Sequence, residues 1–339
     1  MKRTKKILCL ILACAAVFSS TLTALAQIEN IDGKDHAYVS SFGRLSYGGK
    51  PKTAFKNLND ALNGLSGGGK IIVQGNYTVD SLLQKGDLEI VGTGTKATGN
   101  KLSFPSGKIE LTGALSLSNL CIDMPENGTV VTNGNDFKAF DGFDSWSVEK
   151  YAASSANTIT YPAPISVTAG NFEKSSVIEL LSGKYKTISA GSGNGSLAIS
   201  ASSIIADNIV IGADGANITG DLSYELCAVK ADKLSSAKGK INGNLIVKLD
   251  ADCEIASFDL SAFPEASGKA VLVTDAQTKV EKGAFDIHVK LSQGDVSAAS
   301  ENGAFSGLRF SDQNSLGTKK ILISGEEKTA DSGEETVGE

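Results

Sequence analysis

A glycine-led start to a short apolar segment recurs along the middle of the chain. The occurrences are Gly86-Asp87-Leu88, Gly113-Ala114-Leu115, Gly195-Ser196-Leu197, Gly220-Asp221-Leu222 and Gly243-Asn244-Leu245. The first two are 27 residues apart, and the last three are spaced by 25 and 23 residues. The apolar segments run for three to five residues, which is strand length and too short for helices. A repeat of this period with several short strands predicts a solenoid, in which stacked coils form the core.

The composition agrees with stacked small layers. The chain has 37 glycines, 41% hydrophobic residues and only 6% aromatic residues. This content is too apolar for a disordered chain, and it is poor in the aromatic residues that wall a deep enzyme cleft. The formal charge of −6 argues against nucleic acid as a partner, because phosphate binding needs clustered Lys and Arg.

Residues 1–26 have the features of a secretory signal peptide. A basic start precedes an apolar run over residues 7–18, and a small-x-small site, Ala24-Leu25-Ala26, follows. The run is too short to span a bilayer, so we expect an exported protein, secreted or at the cell surface, with no transmembrane segment. A lipobox-like Ile11-Leu12-Ala13-Cys14 leaves lipid attachment at Cys14 open as an alternative. Cleavage after residue 26 removes four positive charges, which changes the formal charge from −6 to −10.

Three cysteines would remain in the exported chain: Cys121, Cys227 and Cys253. An odd number excludes a complete disulfide framework. A bridge between Cys227 and Cys253, which are 26 residues apart, stays open beside the alternative that all three are small buried residues on strands.

The one convincing helix pattern follows a polar lead-in over residues 27–37. Residues 54–65 place apolar side chains at helical spacing, with Thr53 as the expected N-cap and Gly67-Gly68-Gly69 as the end. The apolar positions are Ala54, Phe55, Leu58, Ala61, Leu62 and Leu65. A solenoid needs a cap over its end, and this amphipathic helix is well placed to supply one.

Three segments carry a family resemblance: residues 38–40 (YVS), 54–62 (AFKNLNDAL) and 68–79 (GGKIIVQGNYTV). Together they resemble the amino-terminal cap and first coil of right-handed parallel β-helix proteins of the pectin-lyase-like superfamily. The coils up to about residue 260 are similar in composition to the repetitive β-helices of secreted and surface proteins of Gram-positive bacteria. The resemblance implies an all-β fold, with a right-handed parallel β-helix over residues 27–262 and its cap at residues 38–79. The superfamily contains polysaccharide lyases, glycoside hydrolases and noncatalytic adhesins, so the fold does not decide the function.

The residues that such enzymes use are scarce in the middle coils. Lyases of the superfamily combine acidic calcium ligands with an Arg or Lys base, and the hydrolases use neighbouring aspartates. The two arginines and two histidines of the exported chain, Arg44, Arg309, His36 and His288, lie outside the middle coils. Lysines such as Lys230 and Lys248 remain as candidate bases, although lysines are usually solvated surface residues. We therefore expect a noncatalytic protein.

Asp250, Asp252 and Glu254 alternate along the chain. On one strand their carboxylates would share a face, and calcium is bound by such oxygen-rich sites. The alternative is a solvated outer face. Calcium is the only cofactor that the sequence suggests.

Residues 133–151 are the most distinctive stretch, because they break the repeat. They contain Asp136, Asp141 and Asp144 together with Phe137, Phe140, Phe143, Trp146 and Tyr151. Exposed aromatic rings beside carboxylates are typical of a sugar-binding surface. The candidate glycan contacts are Trp146, Phe143, Asp141, Asp144 and Tyr151. The alternative is that the aromatic side chains fill part of the core.

The carboxy-terminal part is predicted to differ from the coils. Residues 263–325 have longer alternating segments, which suit either a small β region or the final coils. Residues 326–339 hold six acidic residues and one lysine, which predicts a disordered tail.

The function expected from these features is that of an exported, noncatalytic scaffold that binds or adheres to glycans or other surface polymers. A polysaccharide lyase or glycoside hydrolase with calcium at residues 250–254 is one alternative. A purely structural spacer is the other.

Overall fold

The fold is taken from a computed structural model. It describes residues 28–93, 100–141 and 163–250 continuously, together with shorter stretches between residues 253 and 329. Phe140, Asp141, Asp250, Phe258, Asp259 and the strands after residue 266 are described by their backbone alone. In the described residues the chain is all-β apart from one helix, and it forms a parallel β-solenoid of about seven turns.

The first strands, in chain order, are β1 (Ile28–Ile31), β2 (Lys34–Ser40), β3 (Arg44–Tyr47), β4 (Lys50–Thr53), β5 (Gly69–Gln74), β6 (Asn76–Thr78), β7 (Leu88–Gly92), β8 (Asn100–Ser103), β9 (Lys108–Glu110), β10 (Leu115–Ser118), β11 (Leu120–Asp123), β12 (Thr129–Val131) and β13 (Phe137–Asp141). The helix, α1 (Leu58–Gly64), lies between β4 and β5. The next strands are β14 (Ile165–Thr168), β15 (Asn171–Phe172), β16 (Ser176–Leu180), β17 (Lys184–Ser189), β18 (Ser192–Gly193), β19 (Leu197–Ser202), β20 (Ile205–Ile211), β21 (Ala216–Ile218), β22 (Leu222–Cys227), β23 (Lys230–Ser236), β24 (Gly239–Ile241) and β25 (Leu245–Asp250). The last are β26 (Glu254–Ile255), β27 (Phe258–Asp259), β28 (Glu265–Ala266), β29 (Ala270–Thr274), β30 (Lys279–Val280), β31 (Asp286–Ile287), β32 (Val296–Ser300), β33 (Arg309–Phe310), β34 (Lys320–Ile323) and β35 (Glu326–Thr329).

Four sheets make the walls of the solenoid. Sheet A has twelve strands in the order β1-β2-β5-β7-β10-β13-β16-β19-β22-β25-β29-β32. Sheet B has nine strands, in the order β30-β26-β23-β20-β17-β14-β12-β9, with β27 beside β23. Sheet C has five strands, β15-β18-β21-β24-β28, and sheet D has three, β11-β8-β6. Apart from β1, neighbouring strands of sheet A run parallel, as the repeat predicts.

The route of the chain through these sheets changes part-way along the solenoid. In the earlier coil, β10, β11 and β12 lie in sheets A, D and B in turn. In the later coil, β16, β17 and β18 lie in sheets A, B and C. We call the coils from β5 to β13 the first coils and those from β16 to β25 the later coils. The change falls between β13 and β14, which are joined by residues 142–162, outside the described part of the chain.

The core consists of rows of apolar side chains that run along the solenoid axis. One row joins equivalent inward positions of sheet A: Leu88, Leu115, Phe137, Ile178, Ile199, Tyr224 and Val247. All are buried in one continuous cluster. Burial alternates along strands such as β19, because successive side chains of a strand point to opposite faces. Tyr224 is the polar member of the row, and its hydroxyl group donates a hydrogen bond to the Val210 carbonyl (2.8 Å).

The glycines of the repeat lie where the chain turns into sheet A. A Cβ on Gly220 would be 2.6 Å from the Gly195 backbone carbon, and a Cβ on Gly243 would be 2.7 Å from that of Gly220. The Gly220 N–H donates to the Gly195 carbonyl (2.9 Å), and the Gly243 N–H donates to the Gly220 carbonyl (3.1 Å). Glycine recurs here because successive corners stack backbone on backbone, with no room for a side chain.

The amino-terminal end differs from the sequence prediction in two places. The expected polar lead-in is a hairpin: β1 pairs antiparallel with β2 around Asp32 and Gly33, which both have positive φ. An Asp-Gly pair favours this two-residue turn. The helix begins at Leu58 rather than in the segment after Thr53, because β4 pairs with β3 and Phe55 hydrogen-bonds to the β2 backbone. Its N-cap is therefore not Thr53. The cap is Asn57, whose side chain accepts a hydrogen bond from the Asp60 N–H (2.8 Å).

The amphipathic character of the helix is confirmed. Leu58, Ala61 and Leu62 are buried in the main core. The β3–β4 hairpin lies on the other face of sheet A, where Leu45 and Ala54 pack against Tyr38 and Ile72. Sheet A is thus covered on both faces at β2 and β5, which explains the continuous apolar run of β5.

Parallel pairing in sheet A continues beyond residue 262. β29 pairs with β25, and β32 pairs with β29. Residues 326–329, which were predicted to begin a disordered tail, form β35 and pair antiparallel with β34.

Candidate binding groove

An elongated groove of about 590 Å³ runs along the solenoid axis across the first coils. It lies at the corner where the chain enters sheet A, from β2 to β13. Its lining residues are Gly33, Lys34, Asp35, Ser66, Gly67, Gly68, Gly69, Asp87, Leu88, Glu89, Ala114, Leu115, Ser116, Asp136 and Lys138. Neighbouring strands are about 4.8 Å apart, so the four strand spacings from β2 to β13 give a length of roughly 19 Å.

The groove is concave because glycines line one part of it. Gly68 has a φ of +99°, and a Cβ there would lie 2.9 Å from the Asp87 nitrogen. Only glycine fits both the conformation and the space. A Cβ on the neighbouring Gly67 would meet no atom within 4 Å, so this part of the corner opens to solvent.

Two carboxylates are held in fixed positions along the groove. Asp87 Oδ1 accepts a hydrogen bond from the Ala114 N–H (2.9 Å), and Asp136 Oδ1 accepts one from the Val177 N–H (2.9 Å). Both aspartates are exposed, and they occupy equivalent positions because Leu88, Leu115 and Phe137 are in register. They are two coils apart, or roughly 10 Å. Ala114 occupies the intervening coil and carries no polar group.

Three of the other charged groups of the groove, Asp35, Glu89 and Lys138, have partners. Glu89 forms an ion pair with Lys70 (2.7 Å), and Lys138 forms one with Glu179 (3.1 Å). Asp35 accepts a hydrogen bond from the Asn30 side-chain amide (3.1 Å). The groove therefore combines fixed hydrogen-bond acceptors with a surplus of negative charge, which suits a ligand rich in hydroxyl or amino groups.

The predicted aromatic segment divides between the core and the undescribed residues. Phe137 is buried in the core, as the alternative interpretation expects, and Asp136 lies in the groove. Asp141 is the last residue of β13. Phe143, Asp144, Trp146 and Tyr151 lie outside the described residues, so their part in glycan binding stays a prediction.

The predicted calcium face is spread over two sheets. Asp250 ends β25 in sheet A, whereas Glu254 begins β26 in sheet B, and Asp252 lies outside the described residues. Glu254 forms an ion pair with Lys230 (3.3 Å). The described parts of the chain contain no group of three or more His, Cys, Asp or Glu side chains arranged to hold a metal ion.

The candidate base Lys248 and the three cysteines occupy positions that suit a structural role. Lys248 pairs with Glu225 (2.9 Å) across neighbouring strands of sheet A. No disulfide joins Cys227 and Cys253; Cys227 is exposed, and Cys253 is buried with its thiol donating to the Leu226 carbonyl (3.2 Å). Burial raises the pKa of Cys121 to about 11, which keeps this thiol protonated and unreactive at neutral pH.

The groove was not predicted from the sequence, although its signal was present. The residue between the repeat glycine and the first leucine is polar in Gly86-Asp87-Leu88 and in three other repeats, but it is alanine in Gly113-Ala114-Leu115. The side chain at that position accepts a hydrogen bond from a backbone N–H of the next coil, as Asp87 and Ser196 do. The one interruption of this polar series falls at Ala114, which lines the groove.

Comparison with protein-family models, with curated proteins and with solved structures finds no match to this chain. In the described residues, no helix has the length and apolar character needed to cross a membrane.

Proposed function

We propose that the chain is an exported, noncatalytic β-helix that acts as a secreted or cell-surface scaffold for binding glycans or related surface polymers. The proposal includes a right-handed helix of the pectin-lyase-like type found in repetitive bacterial surface proteins. It also assigns α1 as the cap over the amino-terminal end of the core.

The groove along the first coils is the observation that carries the proposal. It is long, open and parallel to the axis, so it suits a linear polymer better than a small molecule. Its walls present carboxylates, two serine hydroxyls and backbone groups, which are the polar partners that sugar hydroxyls use. It also carries net negative charge, which disfavours a polyanionic substrate.

The pairing of charged side chains between neighbouring strands supports a scaffold role. Lys70 and Glu89, Lys138 and Glu179, and Lys248 and Glu225 pair between strands along the outer face of sheet A. Lys230, the other candidate base, pairs with Glu254. Charges that are paired in this way link coils and set register, whereas a catalytic base needs to face a substrate.

The position of α1 supports its role as a cap. Its buried face packs into the same cluster as Val73, Leu88 and Ile90, and it precedes the first fully parallel coil. An exposed end of the solenoid would leave these apolar side chains in water.

A glycan-array screen of the exported chain, residues 27–339, tests the proposal. It is run with and without calcium and is coupled to an ultraviolet assay for unsaturated lyase products. Binding without product supports the scaffold, and product formation overturns it in favour of a lyase. No binding and no product on a broad panel also overturns it and leaves the structural spacer. Tryptophan fluorescence with the glycans that bind then tests the predicted contact of Trp146, since a stacked sugar changes the ring's surroundings.

A further inference from the structure

We propose that the groove of the first coils selects a linear β-linked glycan that carries free amino groups. The inference rests on the proposed function and names its ligand class. It is drawn from the shape of the groove, its unbalanced charge and the separation of its two anchored carboxylates.

The charge of the groove favours a cationic ligand. Four carboxylates, Asp35, Asp87, Glu89 and Asp136, face two ammonium groups, Lys34 and Lys138, so the lining has a net charge of −2. Glu89 and Lys138 are satisfied by partners in neighbouring strands. Asp87 and Asp136 each use one oxygen for a backbone N–H, and within the described residues no ion pair neutralises either side chain.

The separation of these carboxylates excludes a single small cation as their shared ligand. At roughly 10 Å, two coils apart, they are too distant to coordinate one metal ion, whose ligands lie within about 2.6 Å of it. A ligand that satisfies both must carry positive groups at a matching interval along an extended chain.

An extended β-linked aminoglycan has that property. Successive rings in such a glycan are turned over, so equivalent groups on one face recur at every second ring. This repeat is close to the two-coil interval between Asp87 and Asp136. Ala114, which lies between them, leaves room for the intervening ring.

In the later coils, a series of side-chain hydrogen bonds links successive corners where the chain enters sheet A. There Ser196 Oγ accepts the Asp221 N–H (3.0 Å), and Asp221 Oδ1 accepts both the backbone N–H (2.7 Å) and the side-chain amide (3.1 Å) of Asn244. Every coil contributes a polar side chain, so the corner is filled. Asp221 therefore offers a control that accepts the same kind of backbone hydrogen bond, two residues earlier in register than Asp87 and Asp136 and outside the groove.

The test measures binding of a defined β-1,4-linked glucosamine oligomer by calorimetry, with its fully N-acetylated counterpart of equal length as the matched probe. We expect the glucosamine oligomer to bind about tenfold more tightly, and its affinity to fall with added salt. The double variant Asp87→Asn with Asp136→Asn should lose about fivefold to tenfold in affinity. Asparagine retains Oδ1 for both backbone bonds, so the corner stays intact.

Two further variants keep the result interpretable. Asp221→Asn should bind like the unchanged protein, and Ala114→Gln, which fills the groove without altering its charge, should bind weakly. Equal affinity for the two oligomers, or an equal loss in Asp221→Asn, overturns the inference. Absence of binding to both oligomers also overturns it, whereas the glycan array decides separately whether the chain binds any glycan.

Discussion

The first and later coils differ at the corner where the chain enters sheet A, which lies two residues earlier in register in the later coils. In the later coils, Ser175, Ser196 and Asp221 each accept a backbone N–H from the next coil, which forms an unbroken series of side-chain hydrogen bonds. In the first coils, Asp87 makes the same bond but Ala114 interrupts the series. A continuous series closes the corner and stabilises the stack, whereas the interrupted one leaves a groove with anchored carboxylates.

The two regions also differ in cross-section, because the chain passes through sheets A, D and B in the first and through sheets A, B and C in the later coils. β13 joins them, with Phe137 in register with Leu115 on one side and Ile178 on the other. The two regions thus share one core but meet at a single coil.

The largest expected effect comes from breaking this junction. Phe137→Ala should lower the free energy of unfolding by about 3–5 kcal/mol, because it leaves a cavity in the shared row. Stability in a solenoid depends on interfaces between neighbouring coils, so we also expect the two regions to unfold in separate steps. Urea unfolding followed by circular dichroism measures both. Phe137→Leu is the control that keeps an apolar side chain, and a single unchanged transition in Phe137→Ala would contradict the two-region description.

The second-largest expected loss of stability comes from disturbing the stacked glycines of the later coils. Gly220→Ala should cost about 1–3 kcal/mol, because its Cβ would overlap the Gly195 backbone. Gly67→Ala is the control at an open position of the groove, where a Cβ meets nothing within 4 Å, and it should change stability by less than about 0.5 kcal/mol. Gly113→Ala, at a repeat glycine of the first coils whose Cβ would lie 2.7 Å from the Gly86 backbone carbon, should cost about as much as Gly220→Ala. Equal losses in Gly67→Ala and Gly220→Ala would mean that backbone stacking does not hold the repeat glycines.

The corner series of hydrogen bonds makes a smaller contribution. Ser196→Ala removes the acceptor for the Asp221 N–H and should cost about 0.5–1.5 kcal/mol. Thermal unfolding of this variant beside Ser106→Ala, an exposed turn residue of the first coils, measures the difference. A loss no larger than that of Ser106→Ala would remove the corner series as a stabilising feature.

The smallest expected effect is on the pH dependence of stability, and it concerns Glu29 in the amino-terminal hairpin. A hydrogen bond from Lys52, with a second from Tyr38 (3.1 Å), lowers the pKa of Glu29 below its ordinary value of 4.5. His36 lies nearby, and burial lowers its pKa. A carboxylate with a lowered pKa stabilises the folded state above pH 4.5, and this contribution disappears as the pH falls through the lower native pKa.

Glu29→Gln should therefore be slightly less stable than the unchanged protein at neutral pH and equally stable in strong acid. Glu110→Gln, which breaks an exposed pair with Lys108, is the control and should have almost no effect at either pH. Unfolding curves across this pH range check both variants, and a Glu29→Gln deficit that persists in acid would contradict the assignment.

The sequence predicted the solenoid because the repeat is a backbone property: glycine recurs where coils stack too closely for a side chain, as at Gly220. It predicted an amphipathic helix but placed its start too early, because pairing of Phe55 with β2 overrode the helical spacing. The groove was not predicted, since it depends on Asp87 and Asp136 being in register two coils apart, and register emerges only when the sheet forms. Likewise, the alternation of Asp250 and Glu254 indicated one face, but the two residues lie in strands of different sheets.

The most direct test of the account is amide hydrogen exchange of residues 27–339 with and without the glucosamine oligomer. We predict slower exchange with the ligand in residues 66–70, 86–89, 113–116 and 134–138, and unchanged exchange at the equivalent corners of the later coils, residues 194–198, 219–223 and 242–246. Slower exchange at the later corners, or no change at the first ones, would contradict the central claim that the first coils bind the ligand and the later coils support them.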